Sequence, residues 1–257
     1  MMPLITIITA TWNSSKTLQR LADSLKSQNC QDFEWLIVDG GSKDGTQDII
    51  TRNQDLVKWW ISEPDQGVYD AWNKAIPHAR GRWIVFVGSD DTLIDEDAVA
   101  SARNFLSQTK SQILYGKILH QSAQGSFAPI GKEFSAAQFS LQMNIPHPAT
   151  FHHRNFFTEL GLFDSSYRIA GDYECLLRHH ARGGEFAFSD FFFVRMYTGG
   201  LSTNFGNYMK IINEIKRARA SHGFTERSMP LSIACKNFIK FHLYKIGIRI
   251  PGKIPPC

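Results

Sequence analysis

Residues 81–91 have the sequence GRWIVFVGSDD, in which five apolar residues lead into two adjacent aspartates. A β-branched and aromatic run of this length, bounded by glycines, predicts a buried strand over Trp83–Val87. The strand stops at Gly88, and Asp90 and Asp91 come shortly after it. We therefore expect this carboxylate pair at the carboxyl end of a central strand.

Similar strands precede this one, and each is followed by an amphipathic segment. The predicted strands are Leu4–Thr9, Trp35–Val38 and Val57–Ile61. Apolar residues at helical spacing predict helices at Ser14–Gln28, Tyr69–Ala79 and Glu96–Ser107. A short helix that ends at about Asn53 is also predicted. Strands that alternate with helices predict an α/β fold, with a mostly parallel central sheet flanked by helices.

Acidic residues follow three of the predicted strands, namely Asp39, Asp65 and the pair Asp90–Asp91. Because ligands of parallel sheets bind outside the carboxyl ends of the strands, we expect these residues on one rim. A cation would relieve the repulsion between paired carboxylates, and oxygen ligands favour Mg²⁺ or Mn²⁺. The alternative for the pair is a solvated loop that caps the helix beginning near Glu96.

The rest of the chain is less regular and predicts a smaller antiparallel part. The expected elements are strands from Ile113 to about Ile130 around a turn at Ser122–Ser126, an extended segment at Met143–His152, a helix at Asp172–Arg182 and an aromatic strand at Phe186–Tyr197.

Four groups of residues occur in an order typical of one enzyme family. They are IITATWN (7–13) with LIVDGGSKDGT (36–46), EPDQGVYDAWNKA (63–75), GRWIVFVGSDD (81–91) and AGDYE (170–174). Together they resemble the family 2 glycosyltransferases of the GT-A fold. The segment at 63–75 is similar to a narrower group, which builds bacterial surface polysaccharides such as colanic acid and O-antigen.

The resemblance implies a catalytic domain over residues 1–204, with a nucleotide-binding half at 1–95 and an acceptor-binding half at 96–204. It also implies a nucleotide-sugar donor, with UDP as the usual nucleotide. In that family, residues matching Thr9 and Thr11 would line the nucleobase pocket. Asp39 would hold the base, and Asp65 would lie beside the nucleotide.

The resemblance further implies the residues that carry the chemistry. Asp90 would face the ribose and the metal region, and Asp91 would ligate the Mg²⁺ or Mn²⁺ that bridges the diphosphate. Asp172 would deprotonate the acceptor hydroxyl, with Glu174 as the next candidate base. Direct displacement of this kind inverts the anomeric configuration. The sequence departs from the family at Gly171, where an acidic residue often precedes the base.

His147 lies between two prolines that stiffen the backbone. A rigid histidine there can position the acceptor or the diphosphate, or ligate the metal, and it can equally be a packed loop residue. The implied function is transfer of a hexosyl or N-acetylhexosaminyl group to a lipid-linked saccharide in bacterial surface polysaccharide biosynthesis.

Three other classes of protein could share part of this sequence pattern. A processive synthase would carry a Gln-x-x-Arg-Trp motif and spanning helices, and a sugar nucleotidyltransferase would carry a Gly-rich phosphate loop after the first strand. Neither feature is present in the sequence. A catalytically inactive nucleotide-sugar-binding or scaffold protein remains the alternative.

The formal net charge of +4 is unevenly distributed. Residues 1–204 carry a net charge of −4, whereas residues 205–257 carry +8. On a helix, this basic extension would form an apolar stripe flanked or opposed by basic residues: Ile239, Leu243, Ile246 and Ile250, with Lys236, Lys240, Lys245 and Arg249.

Such a helix either binds an anionic membrane surface or packs its stripe on the catalytic domain. Nucleic acid is not an expected partner, since the catalytic half is acidic and no recognition motif occurs. Scattered cysteines and the lack of a long apolar run predict a cytoplasmic protein. If the basic helix binds membrane, the protein would attach peripherally at the inner face of the inner membrane.

Overall fold

The computed structural model describes residues 2–121, 125–198 and 207–224 of the 257-residue chain. The strands are β1 Ile5–Thr11, β2 Phe33–Asp39, β3 Val57–Ser62, β4 Trp83–Phe86, β5 Thr92–Leu93, β6 Ile113–Gln121, β7 Phe127–Ile130, β8 Thr150–His153 and β9 Phe186–Met196. The helices are α1 Leu18–Lys26, α2 Thr46–Arg52, α3 Val68–Ala75, α4 Ala98–Leu106, α5 Ala136–Phe139, α6 Arg154–Leu160, α7 Gly171–Ala181 and α8 Tyr208–Ser221. Short 3-10 turns lie at Ile76–His78 and His147–Ala149.

In the described residues these strands form one sheet, in the order β3-β2-β1-β4-β8-β6-β9-β5, with β7 paired to β6. β1 is parallel to β2 and β4, and β2 is parallel to β3. β8 is antiparallel to both β4 and β6, while β9 is parallel to β6. The predicted α/β class, with a parallel sheet and an antiparallel part, is confirmed.

Apolar side chains alternate between the two faces of the central strands. On β4, Trp83 and Val85 join one buried cluster, and Ile84 and Phe86 join the other. The first cluster includes residues of α1, α2 and α4, and the second includes residues of α3, α6, α7 and α8. Because both faces are covered, the central strands are continuous apolar runs in the sequence.

Two predicted elements were wrong in part. The helix predicted over Tyr69–Ala79 ends at Ala75 and continues as a 3-10 turn. Pro77 lies in that turn and lacks the N–H that an α-helix needs. The segment Met143–His152, predicted to be extended, contains the 3-10 turn His147–Ala149 with a proline in its first positions, and only its end enters β8.

The structure describes only residues 207–224 of the predicted basic extension. α8 forms there and packs against α7, with Ile211, Ile215 and Ala218 buried. Within the three described ranges, no helix combines the length and apolar character that crossing a bilayer requires. Parts of the predictions lie outside the described residues: the boundary at 204, the turn residues 122–124, and the stripe and basic residues between Lys236 and Arg249.

A buried carboxylate joins the other ends of the central strands. Glu34 on β2 is only 2% exposed and accepts hydrogen bonds from the Thr6 hydroxyl (2.7 Å), from the backbone N–H groups of Arg80 (2.6 Å) and Gly81 (3.2 Å), and from the Arg80 guanidinium (2.8 Å). Burial works to raise the pKa of Glu34, but the hydrogen bonds from Thr6 and Arg80 outweigh it and hold the pKa below its usual range. This group therefore ties β1, β2 and the start of β4 together.

We predict that Glu34→Gln lowers the free energy of unfolding by about 1–3 kcal/mol at neutral pH, because buried donors lose their acceptor. Since the folded-state pKa of Glu34 is depressed, its contribution is present above the unfolded pKa and is lost as the pH falls through the folded pKa. Urea unfolding at several pH values measures this, with the exposed Glu96→Gln as the control. A stability difference that does not shrink in acid would contradict the assignment.

Candidate active site

The parallel pairing brings several strand ends to one edge of the sheet. Thr11, the last residue of β1, pairs with Asp39 at the end of β2, and Asp39 pairs with Ser62 at the end of β3. The N–H of Gly40 donates to the Thr11 carbonyl at 2.8 Å. On the other side of β1, the N–H of Val87 donates to the carbonyl of Ile8. The loop that carries Asp90 and Asp91 therefore leaves the sheet on this same edge.

Asp39 is fully buried, and its carboxylate is occupied by protein donors. It accepts from the backbone N–H of Ser42 (2.9 Å), from the Ser42 hydroxyl and from the Ser62 hydroxyl (2.6 Å). These contacts use three of the roughly four lone-pair positions of a carboxylate. A nucleobase N–H would have to use the remaining one or displace a serine, so the base-holding role of Asp39 stays a prediction.

Asp65 lies next to this turn. One carboxylate oxygen accepts from the N–H of Gly67 (2.8 Å), just before α3, and the other packs over Gly40. The indole of Trp12 borders the same space and is 69% exposed, although it directly follows the buried strand β1. Asp65 and Trp12 therefore both lie against Gly40 on the rim.

The two threonines on β1 have different environments. The hydroxyl of Thr9 is buried and accepts from the indole N–H of Trp35 at 3.0 Å, so it already has a hydrogen-bond partner within the protein. The hydroxyl of Thr11 is buried near the strand end and has no hydrogen-bond partner among the described residues. Of the two, Thr11 has the free polar atom that a ligand could use.

The carboxylates of Asp90 and Asp91 converge over Gly88. A Cβ at Gly88 would lie 2.8 Å from an oxygen of each carboxylate, so only glycine leaves the space they occupy. Asp91 is 3% exposed and accepts from the backbone N–H of Tyr197 at 3.1 Å. Arg20 of α1 donates to the carbonyl of Asp90 and stacks on the Tyr197 ring, 3.8 Å from its centroid.

The electrostatics of this pair suit a bound cation. Burial, and then the charge of Asp90, raise the pKa of Asp91 well above its usual range, and burial also raises the pKa of Asp90. A divalent cation between the two would remove this cost. Among the described residues no third His, Cys, Asp or Glu joins the pair. Two carboxylates fit Mg²⁺ or Mn²⁺ if water and substrate phosphates complete the shell.

Asp172 lies in the first turn of α7, where its carboxylate contacts the hydroxyl of Tyr69. Its carboxylate accepts from the backbone N–H of Tyr173 (2.8 Å) and from the Tyr69 hydroxyl (3.2 Å), whose single hydrogen is shared with the closer carbonyl of Ile169 (2.6 Å). Burial raises the pKa of Asp172 to about 6. Tyr69 lies in the first turn of α3, two residues after Gly67, whose N–H donates to Asp65, so Asp172 lies on the same side of the domain as Asp65.

The surroundings of Gly171 explain why no acidic residue directly precedes Asp172. A Cβ at this position would lie 2.7 Å from the Tyr69 ring, so the ring fills the space that a side chain would need. Glu174, the other candidate base, is buried and bonded to His222 (2.8 Å) and Arg178 (3.3 Å). It joins α7 to α8, which leaves Asp172 as the candidate base.

His147 is buried among aromatic rings. It is 6% exposed, and its ring stacks on Trp72 (5.2 Å between centroids) and Phe86 (5.5 Å). Burial lowers its pKa to about 3, so the ring is neutral at physiological pH. Its Nε2 has no hydrogen-bond partner in the described part of the chain. The geometry matches the packed-histidine alternative, and contact with acceptor or diphosphate stays a prediction.

Comparison with known families identifies the family of this chain. The sequence profile of the family described as Glycosyl transferase family 2 matches residues 6–171. The chain belongs to glycosyltransferase family 2.

Two curated relatives illustrate the range of this family. The "PGL/p-HBAD biosynthesis glycosyltransferase" of Mycobacterium tuberculosis is 34% identical over 180 residues, which are 68% of this chain and 69% of that protein. The chondroitin synthase of Pasteurella multocida is 26% identical over 233 residues, 86% of this chain but only 24% of that protein. Glycosyltransferases of this family thus include chains much longer than the one described.

Solved structures show the GT-A fold for this family 2 chain. Residues 1–349 of S. aureus TarS, in complex with UDP-GlcNAc, superpose with a TM-score of 0.68 at 18% identity, covering 95% of this chain and 72% of that one. A longer TarS chain is covered over only 42% of its length. The mannosyltransferase PcManGT from Pyrobaculum calidifontis, in complex with GDP-Man and Mn²⁺, gives a TM-score of 0.60 at 15% identity, covering 96% and 82%.

Several residues of the candidate site were not predicted from the sequence. Tyr69 lies inside a motif, but its bond to Asp172 spans 103 residues of sequence. Arg20 and Tyr197 meet beside Asp90 and Asp91 from opposite ends of the domain, and no local pattern marks either of them. Trp12 carries a recognisable signal, since an exposed aromatic residue directly after a buried strand is unusual.

We predict that Tyr69→Phe raises the pKa of Asp172 above its value of about 6, because the hydroxyl stabilises the charged carboxylate. Carboxyl NMR titration of ¹³C-labelled aspartate measures this, with Asp172→Asn to assign the signal. Tyr173→Phe is the matched control, since its hydroxyl donates to Phe139 and does not touch Asp172. A pKa that stays the same or falls in Tyr69→Phe would show that the hydroxyl does not stabilise the carboxylate.

Proposed function

We propose that this family 2 member is an inverting glycosyltransferase, which moves a sugar from a nucleotide-sugar donor to a hydroxyl of a lipid-linked saccharide. The expected nucleotide is UDP, and the expected setting is bacterial surface polysaccharide biosynthesis. The observation that carries the proposal is that two kinds of carboxylate lie on one rim. A buried carboxylate pair suited to a cation lies at one strand end, and a separate carboxylate with a pKa of about 6 lies at Asp172.

Donor binding requires a site for a charged diphosphate. Asp91 and Asp90 would hold the Mg²⁺ or Mn²⁺, and the bound ion would neutralise the charge that develops on the leaving diphosphate. The rim around Gly40, where Asp65 and Trp12 lie close to Asp39 and Thr11, is where the nucleoside would bind. Complexes of related folds with UDP-GlcNAc and with GDP-Man and Mn²⁺ support this class of donor.

Asp172 would activate the acceptor by taking the proton of its hydroxyl group. An alcohol is a weak nucleophile until a base takes its proton, and a base works best when its pKa lies near the working pH. A pKa of about 6 leaves Asp172 mostly ionised at neutral pH while it keeps useful basicity. Attack of the activated hydroxyl on the face opposite the diphosphate inverts the anomeric carbon, through an oxocarbenium-like transition state.

An inactive nucleotide-sugar-binding protein is the competing function. Such a protein would recognise the donor but would not need Asp172 as a base. The raised pKa of Asp172 is the kind of perturbation that functional sites show. The two functions differ in whether Asp172 affects turnover.

We also propose that the basic extension brings the enzyme to the membrane that carries its acceptor. Residues 205–257 hold ten basic and two acidic residues. Each basic residue near an anionic leaflet contributes about 1 kcal/mol within a Debye length of about 8–10 Å. An apolar stripe from Ile239 to Ile250 would add to this attraction.

The proposed function predicts that Asp91→Ala and Asp172→Asn fail at different steps. Asp91→Ala should lose metal-dependent donor binding together with transfer, whereas Asp172→Asn should bind donor normally and lose about 10²–10⁴-fold in kcat. A panel of UDP- and GDP-sugars with Mn²⁺ is first screened by thermal stabilisation, and the best donor is then used in calorimetry and transfer assays.

Asp55→Asn, an exposed aspartate before β3 at the opposite end of the sheet, is the control and should match the wild type. Full activity of Asp91→Ala, or of the wild type in excess chelator, would rule out the metal-dependent mechanism. Normal turnover of Asp172→Asn would remove the proposed base. Donor binding with no transfer to any acceptor or to water would favour the inactive alternative.

The membrane proposal predicts salt-sensitive cosedimentation with anionic vesicles. A variant with Lys236, Lys240, Lys245 and Arg249 changed to Gln should remain in the supernatant and still bind donor. The matched control carries the same change of charge on the described surface, at Lys26, Lys58, Lys110 and Lys132, and should sediment like the wild type. Equal sedimentation of all three proteins would mean that the extension does not bind membranes.

A further inference from the structure

A buried glutamate of α8 holds the loop that leads into α7. The carboxylate of Glu214 accepts from three consecutive backbone N–H groups, those of Arg168, Ile169 and Ala170, each at 2.9 Å. Glu214 is 8% exposed, so these bonds are shielded from water. It is one of only two acidic residues in the otherwise basic segment 205–257.

Other contacts hold the same loop. On α8, the Arg217 guanidinium lies 3.6 Å from the centre of the Tyr167 ring and donates to the Ser166 hydroxyl at 3.2 Å. From the opposite side, the Tyr69 hydroxyl donates to the Ile169 carbonyl. The N–H of Ile169 thus faces Glu214 while its carbonyl faces Tyr69, and the peptide units before α7 are fixed from both sides.

The position of Asp172 depends on this loop. Ala170 is the residue before α7, and Asp172 lies two residues later in the first turn. A rotation of the peptide units at 168–170 would move the Asp172 carboxylate away from the hydroxyl of Tyr69. We propose that Glu214 is a positioning residue for Asp172, which it holds in place for proton abstraction from the acceptor. This inference rests on the proposed function.

Glu214 also acts on Asp172 through its charge. Among the described residues, the titratable groups with the clearest influence on Asp172 include Tyr69 of α3 and Glu214 of α8, and Asp172 in turn acts on Cys175 of α7. Burial is the main cause of the raised pKa of Asp172, and the negative charge of Glu214 raises it further, whereas the Tyr69 hydroxyl opposes the rise. Loss of the Glu214 charge should therefore lower the pKa of Asp172.

This role differs from ordinary stabilisation in what it predicts for turnover. A purely structural glutamate would change the amount of folded protein but would leave the pH dependence of the folded enzyme unchanged. A positioning residue changes kcat of the folded enzyme, and here it also moves the acid side of the pH–rate profile. Donor affinity should stay the same, because Asp39 and Asp91 lie on other elements of the rim.

The test compares Glu214→Gln and Glu214→Asp with the wild type, using the full chain and the donor chosen by thermal stabilisation. Glu214→Gln should lose about 10–100-fold in kcat, as expected for a misplaced catalytic group, with little change in donor KM. Glu214→Asp keeps the charge but is one methylene shorter, so kcat should fall and the acid limb of the pH–rate profile should move to higher pH as Asp172 loses contact with the Tyr69 hydroxyl. Because Glu214→Gln also removes the negative charge, its acid limb should lie at lower pH than that of Glu214→Asp.

The matched control is Glu34→Gln, which removes another buried carboxylate that accepts several backbone N–H bonds, at the opposite end of the sheet. It should lose stability and keep the wild-type kcat and pH profile once the folded fraction is accounted for. Wild-type kcat and an unmoved acid limb in folded Glu214→Gln would overturn the inference. If Glu214→Gln does not fold, a wild-type kcat in Glu214→Asp would overturn it.

Failure of the proposed function gives a different result. If Asp172→Asn turns over normally, Asp172 is not the base, whatever the Glu214 variants do. If Asp172→Asn is inactive while folded Glu214→Gln is indistinguishable from the wild type, the base stands and only the role of Glu214 is wrong.

Discussion

Parallel pairing of β1 with β2 and β4 fixes which residues meet at the functional edge. Within this parallel part of the sheet every strand ends on the same side, so Thr11, Asp39 and Ser62 become neighbours through register alone. The pairing is maintained by burial on both faces and by Glu34 at the other end. Every feature of the site, from the Asp90–Asp91 loop to the start of α3, takes its place relative to this edge.

Close approach to glycine is the second constraint on the site. The carboxylates of Asp90 and Asp91 occupy the space above Gly88, and the Tyr69 ring occupies the space beside Gly171. In both places a side chain with a chemical role lies where a Cβ would otherwise be. The departure from the family pattern at Gly171 is thus a packing requirement of Tyr69, and it leaves Asp172 with a phenol as its neighbour.

The sequence predicts well what depends on local periodicity. Apolar runs at β1, β2 and β4 identified the parallel sheet, and the residues after them identified the edge where Asp39 and Asp91 lie. It predicts poorly what depends on contacts between distant segments. The bond from Tyr69 to Asp172 spans 103 residues, and the bonds from Glu214 to the loop span 44 to 46. Likewise, His147 is surrounded by aromatic rings from other elements, which its two flanking prolines do not reveal.

The position of Glu214 in the chain has a consequence for how the enzyme is made. A ribosome synthesises residues 1–204 before α8, so the sheet and the edge that carries Asp39 and Asp91 can form while the peptide units at 168–170 still lack their carboxylate. The loop before Asp172 becomes fully bonded only when α8 emerges and docks on α7. In a nascent chain the parallel strands can thus form first, and the geometry around Asp172 is completed late in translation.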